Sequence, residues 1–152
     1  MGYNTYHWGE LEIIGEPNDE IKKHFKKERG GLVDASGLWF LVCSQDSNGA
    51  SKWSLERDEC TRNSGPAEGL QGLIDNVFAP NGIILNGTIE WLGDHNDDRG
   101  NVAVTNNQMT VYYGYTVYLD QDGNPSPDTS MFLADMNKKF RESKEVQNHE
   151  GK

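Results

Sequence analysis

The period of the apolar positions changes along this chain, and the changes mark its elements. Residues 3–14 are rich in aromatic and β-branched side chains and close on Gly15-Glu16-Pro17, a strand ended by a turn. Asn18 or Asp19 then caps a predicted helix running to about Arg29, with Ile21 and Phe25 as a narrow apolar stripe and Gly30-Gly31 as its stop. The continuous run Leu38-Trp39-Phe40-Leu41-Val42-Cys43 predicts a central strand. Its hairpin return lies at residues 51–55, with Trp53 and Leu55 on one face. Between Pro66 and Phe78, apolar residues Ala67, Leu70, Leu73, Ile74, Val77 and Phe78 recur at three- and four-residue spacing, the signature of a core helix. Pro80 and Asn81-Gly82 end it.

Residues 83–92 return to a strand period. Ile83, Leu85, Ile89 and Trp91 share one face and Asn86, Thr88 and Glu90 the other, so one side of the sheet meets water or a partner. A polar connector over 93–100 leads to a strand at 101–105, which pairs through Asn106-Asn107 with a long strand from Met109 to about Leu119. That last strand carries tyrosines on both faces, an edge able to pair with a second copy as a homodimer. Met131, Phe132, Met136 and Phe140 predict a terminal helix that gives way to a polar tail from about Arg141. The expectation is one α+β domain over residues 1–140 and a tail over 141–152. The first six elements match the split β-α-β order of ferredoxin-like folds, an antiparallel sheet with helices on one face, extended by a C-terminal hairpin and helix.

Charge narrows the function classes. The net charge of the 152 residues is −10, and residues 31–130 hold the surplus, with fourteen acidic and four basic side chains. A surface so poor in Lys and Arg repels phosphate, which excludes direct nucleic-acid binding by that face and favours a basic protein partner. No apolar run approaches the ~18 residues of a membrane span, and no charged-then-apolar leader opens the chain, so no membrane contact and a cytoplasmic site are expected. Cys43 and Cys60 show no metal or disulfide spacing, and Cys43, within an apolar run, is expected to be buried.

Candidate chemistry concentrates near one strand end. Glu90, Asp94, Asp97 and Asp98 place four carboxylates within nine residues, and oxygen ligands so close suit Mg²⁺ or Ca²⁺. Asp94, Asp97 and Asp98 are the candidate metal ligands. The calcium-loop template fails, because Arg99 and Thr105 stand where it needs Gly and Glu, and Asx-rich hairpin connectors have the same look. No G-x-S-x-G, H-E-x-x-H or phosphate-cradling glycine loop occurs, so no catalytic residue is assigned and the chain is not read as an enzyme. Trp8, Trp39, Trp53 and Trp91 fall on four predicted strands. They pack the core, unless two or three line the helix-free face with Tyr6, Tyr112 and Tyr118 as a platform for a protein or a stacked nucleotide.

Gly2-Tyr3-Asn4-Thr5, Gly37-Leu38-Trp39 and the block from Phe78-Ala79-Pro80-Asn81-Gly82 through Leu85-Asn86-Gly87, Trp91 and Asp97-Asp98-Arg99-Gly100 to Asn106 resemble an uncharacterised family of small bacteriophage and bacterial proteins. The resemblance covers residues 2–10 and 37–111. The chain departs from it at Phe40-Leu41-Val42-Cys43, where many members carry a Cys/Trp/Pro segment, and at Leu92, where a polar residue is common. The resemblance implies a cytoplasmic, often phage-borne protein and brings no established activity. Together with the acidity it gives the leading expectation: a binding protein that sequesters or inhibits a basic host factor, of a defence system or of nucleic-acid handling, with Glu90, Asp94, Asp97, Asp98, Tyr112 and Tyr118 as partner-binding residues. A nucleotide or signal-molecule sponge and a metal-dependent hydrolase using the residue 94–98 cluster are the alternatives.

Overall fold

The computed structural model describes residues 3–95 and 98–150. The chain divides into two compact units, residues 1–115 and 116–152. The first is built on a nine-stranded antiparallel sheet with a few short helices, a sheet-rich α+β arrangement. Its strands are β1 (Asn4–Ile14), β2 (Phe25–Glu28), β3 (Gly31–Asp34), β4 (Trp39–Gln45), β5 (Ser51–Arg57), β6 (Cys60–Arg62), β7 (Ile84–Gly93), β8 (Arg99–Thr105) and β9 (Gln108–Gly114). Their lateral order is β2-β3-β4-β5-β1-β7-β8-β9, with β6 paired to β1 beyond the end of β5. β1 is the central strand, and its ten-residue ladder with β7 runs from Thr5↔Gly93 to Ile14↔Ile84.

Strand alternation divides the two faces. Thr5, His7, Leu11 and Ile13 of β1 are buried, while Tyr6, Trp8, Glu10, Glu12 and Ile14 are exposed. The buried set joins Leu85, Ile89, Trp91, Val102 and Val104 across β7 and β8, and Trp39, Leu41 and Leu55 across β4 and β5. Leu70, Leu73, Ile74, Val77 and Phe78 cover this face. They belong to α2 (Leu70–Leu73), which widens into a π-type turn at Ile74–Phe78 and closes with a 3-10 turn at Ala79–Asn81. The core helix expected over 66–78 is thus present only from Leu70 onward, as one α turn that passes into a π-type turn.

The helix expected over 18–29 is corrected. Asn18 does cap, its Oδ1 accepting from the Ile21 amide at 3.0 Å, but α1 (Asp19–Lys22) is a single turn and Phe25 already opens β2. Gly30-Gly31, read as a helix stop, lies in a tight hairpin: Arg29 and Gly30 both hold positive φ (48° and 78°), which matches the twist of the β2–β3 pair. Ile21 and Phe25 are both buried, so their four-residue spacing reflects a turn-to-strand step that imitates a helical stripe.

In the second unit, α3 (Pro127–Glu150) runs through the position where a polar tail was expected at Arg141. Asp120 organises the turn before it, its Oδ1 accepting from the Asp122 and Asn124 amides at 2.9 Å, and these backbone donors hold its carboxyl below the usual range. β9 stops at Gly114, short of the predicted Leu119. No helix among the described residues is long and apolar enough to cross a membrane.

Candidate functional site

The exposed face of the central strands gathers the chemistry. Register aligns Trp8, Glu90, Asn101 and Tyr112 in one row across β1, β7, β8 and β9, and Tyr6, Leu92, Arg99 and Gly114 in the next. Tyr6, Trp8 and Tyr112 are 46%, 49% and 55% exposed, large values for aromatic rings, which usually sit in cores or interfaces. Trp8 Nε1 donates to Glu90 Oε2 at 2.7 Å, fixing the indole on the sheet surface. A groove of about 360 Å³ lies beside it, lined in part by Leu92, Arg99, Asn101 and Gly114.

Trp8 also lines a second cavity, of about 430 Å³, with Tyr6, Glu56 and Glu59 among its walls. This one opens where the β1 ladder changes partner. β1 pairs β5 at Leu11↔Leu55 and Glu12↔Ser54, then β6 at Asn4↔Arg62 to Tyr6↔Cys60, and between them the His7 amide reaches the Glu59 carbonyl at 2.8 Å. The Glu56 carboxyl is pushed up, first by burial and then by the charges of Glu10 and Glu59.

Behind this face, at the same end of the sheet, lies a buried polar group. Arg57 is 4% exposed, stacks its guanidinium 5.1 Å over the Trp39 ring and donates to the backbone carbonyls of Gly65 and Glu68 at 2.9 and 3.1 Å. Burial, the largest cause, lowers its pKa. His7, also 4% exposed, completes no hydrogen bond through either ring nitrogen among the described residues. Burial and then the Arg57 charge lower its pKa to about 4, so the imidazole is neutral at pH 7.

The residues expected to form one site separate. Glu90 and Tyr112 share a row on the open face. Asp94 and Asp98 tie down the strand ends instead: Asp94 Oδ2 accepts from the Asn4 amide at 2.7 Å, and Asp98 accepts from the Tyr3 hydroxyl at 2.6 Å and from Trp91 Nε1 at 3.2 Å. The Asp98 hydrogen bond raises the Tyr3 pKa, holding its proton in place. Asp97 lies outside the described residues. Among the described residues no group of three or more His, Cys, Asp or Glu converges as metal ligands, and the described members of the set proposed for Mg²⁺ or Ca²⁺, Asp94 and Asp98, are occupied as hydrogen-bond acceptors. Tyr118 belongs to the second unit, where its amide donates to Thr129 Oγ1 at 3.1 Å and its ring is 70% exposed.

Cys43, expected to be buried, is exposed, because the last three residues of β4 run past the core into the hairpin. Trp39 and Trp91 are core residues, whereas Trp8 is not. Glu56 and Glu59 carried no signal in the sequence, since only long-range pairing brings them to Trp8. Trp8 itself carried one, its even-numbered register opposite Leu11 and Ile13. No family model, no curated protein and no solved structure matches this chain.

Proposed function

We propose that this chain is a binding protein that sequesters or inhibits a basic protein, seated on the open face of the sheet around Trp8. One observation carries the reading: Tyr6, Trp8 and Tyr112 stand exposed beside Glu10 and Glu90 on one face of the central strands. Aromatic rings supply contact area, and the concentrated negative charge supplies steering toward a Lys/Arg-rich surface. The resemblance to small phage and bacterial proteins supports a cytoplasmic host factor as the target. The adjacency β4-β5-β1-β7, with all neighbours antiparallel, supports a ferredoxin-like frame whose first crossover is made by α1 and the β2–β3 hairpin.

The test compares the wild-type chain with the double variant Trp8→Ser/Tyr112→Ser, both immobilised in nuclease-treated bacterial lysate. A basic protein held by wild type, lost from the variant, and released as salt rises from about 0.05 to 0.5 M supports the reading. A protein held equally by both chains overturns it.

A second reading has its own observation. The groove beside Trp8, at about 360 Å³ with Arg99 and Asn101 on its wall, has the scale and donors for a stacked base. A nucleotide retained without any protein, detected by mass spectrometry of the same eluate, selects this sponge function instead.

A further inference from the structure

The cavity between β1 and the β5–β6 segment has walls suited to a cation. Its lining includes aromatic Tyr6 and Trp8 and acidic Glu56 and Glu59, with the buried residues His7 and Arg57 behind them. Burial, and then the charges of Glu10 and Glu59, raise the Glu56 pKa. The nearby cations are committed elsewhere. Lys52 pairs with Glu10 at 3.8 Å and Arg29 with Asp58 at 3.1 Å. Arg57 also borders the cavity, but its side chain is 4% exposed, stacks on Trp39 and donates through its two terminal nitrogens to the Glu68 and Gly65 carbonyls, leaving only Nε without a partner among the described residues. Among the described residues no Lys or Arg forms an ion pair with Glu56 or Glu59.

We infer that this cavity anchors one arginine side chain of the basic partner, its guanidinium held by Glu56 and Glu59 against Tyr6 and Trp8. The inference rests on the reading that the open face takes a basic protein, and it names the chemistry by which that face is recognised. A guanidinium fits better than an ammonium. It is planar and weakly hydrated, it stacks on indole and phenol faces, and it offers paired donors to carboxylates. The Trp8–Glu90 hydrogen bond fixes one wall before the ligand arrives, which lowers the ordering cost of binding.

The experiment uses the full chain and two acetylated, amidated eight-residue Gly/Ser peptides, one with three arginines and one with citrulline at the same positions. Affinities come from NMR shift titrations. The arginine peptide binds wild type, and the citrulline peptide binds at least tenfold more weakly. Glu56→Gln lowers affinity for the arginine peptide at least fivefold, Glu56→Asp by an intermediate factor, and Glu12→Gln, on the same face but away from the cavity, by less than twofold. Bound peptide also draws the Glu56 carboxyl titration downward. Equal losses in Glu56→Gln and Glu12→Gln overturn the anchor and leave the basic-partner reading standing, because the face then acts as diffuse charge. Equal binding of both peptides overturns the anchor as well. Failure of the arginine peptide to bind wild type at all counts against the acidic-face reading itself.

Discussion

Trp8 and Glu90 face each other directly across the β1–β7 ladder, and the indole nitrogen donates to Glu90 Oε2 at 2.7 Å. The bond lies at the surface, where water replaces whatever is removed. Glu90→Ala is therefore expected to cost under about 1 kcal/mol of stability. Its larger effect is on position: the Trp8 indole N–H resonance moves to a water-exposed value and partner affinity falls severalfold. An unfolding free energy, read from urea titration, lowered by more than about 2 kcal/mol would show that the pair is structural instead.

His7 makes stability depend on pH. Its folded pKa is about 4 against an ordinary value near 6.5, so the folded state resists a proton that the unfolded chain accepts. The stability it supports is complete above about pH 6.5 and is lost as pH falls toward 4, with a total near 3 kcal/mol. Urea midpoints at pH 7 and pH 4.5 are expected to differ more for wild type than for His7→Leu, the carboxylate background being common to both. Equal differences would falsify the assignment.

Gly87 lies opposite Leu11 with φ of 145°, and a Cβ there would meet the Glu10 carbonyl oxygen at 2.5 Å and Leu11 Cα at 3.2 Å. Both are backbone atoms of the central strand and have no room to retreat. Gly87→Ala is expected to lose more than about 2 kcal/mol through combined strain and overlap. Chemical denaturation reads this directly, and a loss under about 0.5 kcal/mol would mean that the β1–β7 approach is looser than described.

Cys43 and Cys60 are both exposed. A thiol-specific chromogenic reagent is expected to modify two thiols per native chain, at rates close to those in denaturant. Protection of Cys43 in the native protein would place the end of β4 inside the core after all.

The β1 strand, the apolar half of the 66–78 segment, and the Asn106-Asn107 hairpin were legible because each depends on neighbours a few residues away. Leu11 and Ile13 alternate with Glu10 and Glu12, the apolar residues from Leu70 to Phe78 recur at three- and four-residue spacing, and two asparagines accept positive φ (48° and 68°) without help. The misread helix at 18–29 shows where such local evidence fails. Four residues from Ile21 to Phe25 satisfy a helical stripe and a turn into a strand equally well, and the ladder with β3 chooses between them.

By itself, then, the sequence determined an α+β class built on an antiparallel sheet, the strand at residues 3–14, and the acidity of the central hundred residues, all of them properties of local pattern and composition. Tertiary structure alone decided that Asp94 and Asp98 serve as hydrogen-bond acceptors at the strand ends, that Cys43 is exposed, and that Glu56 and Glu59 stand beside Trp8 some fifty residues away. The physical reason is that the contents of a site on a sheet are set by which strands become neighbours, and strand adjacency is chosen by burial of the whole core rather than by the residues that end up on the open face.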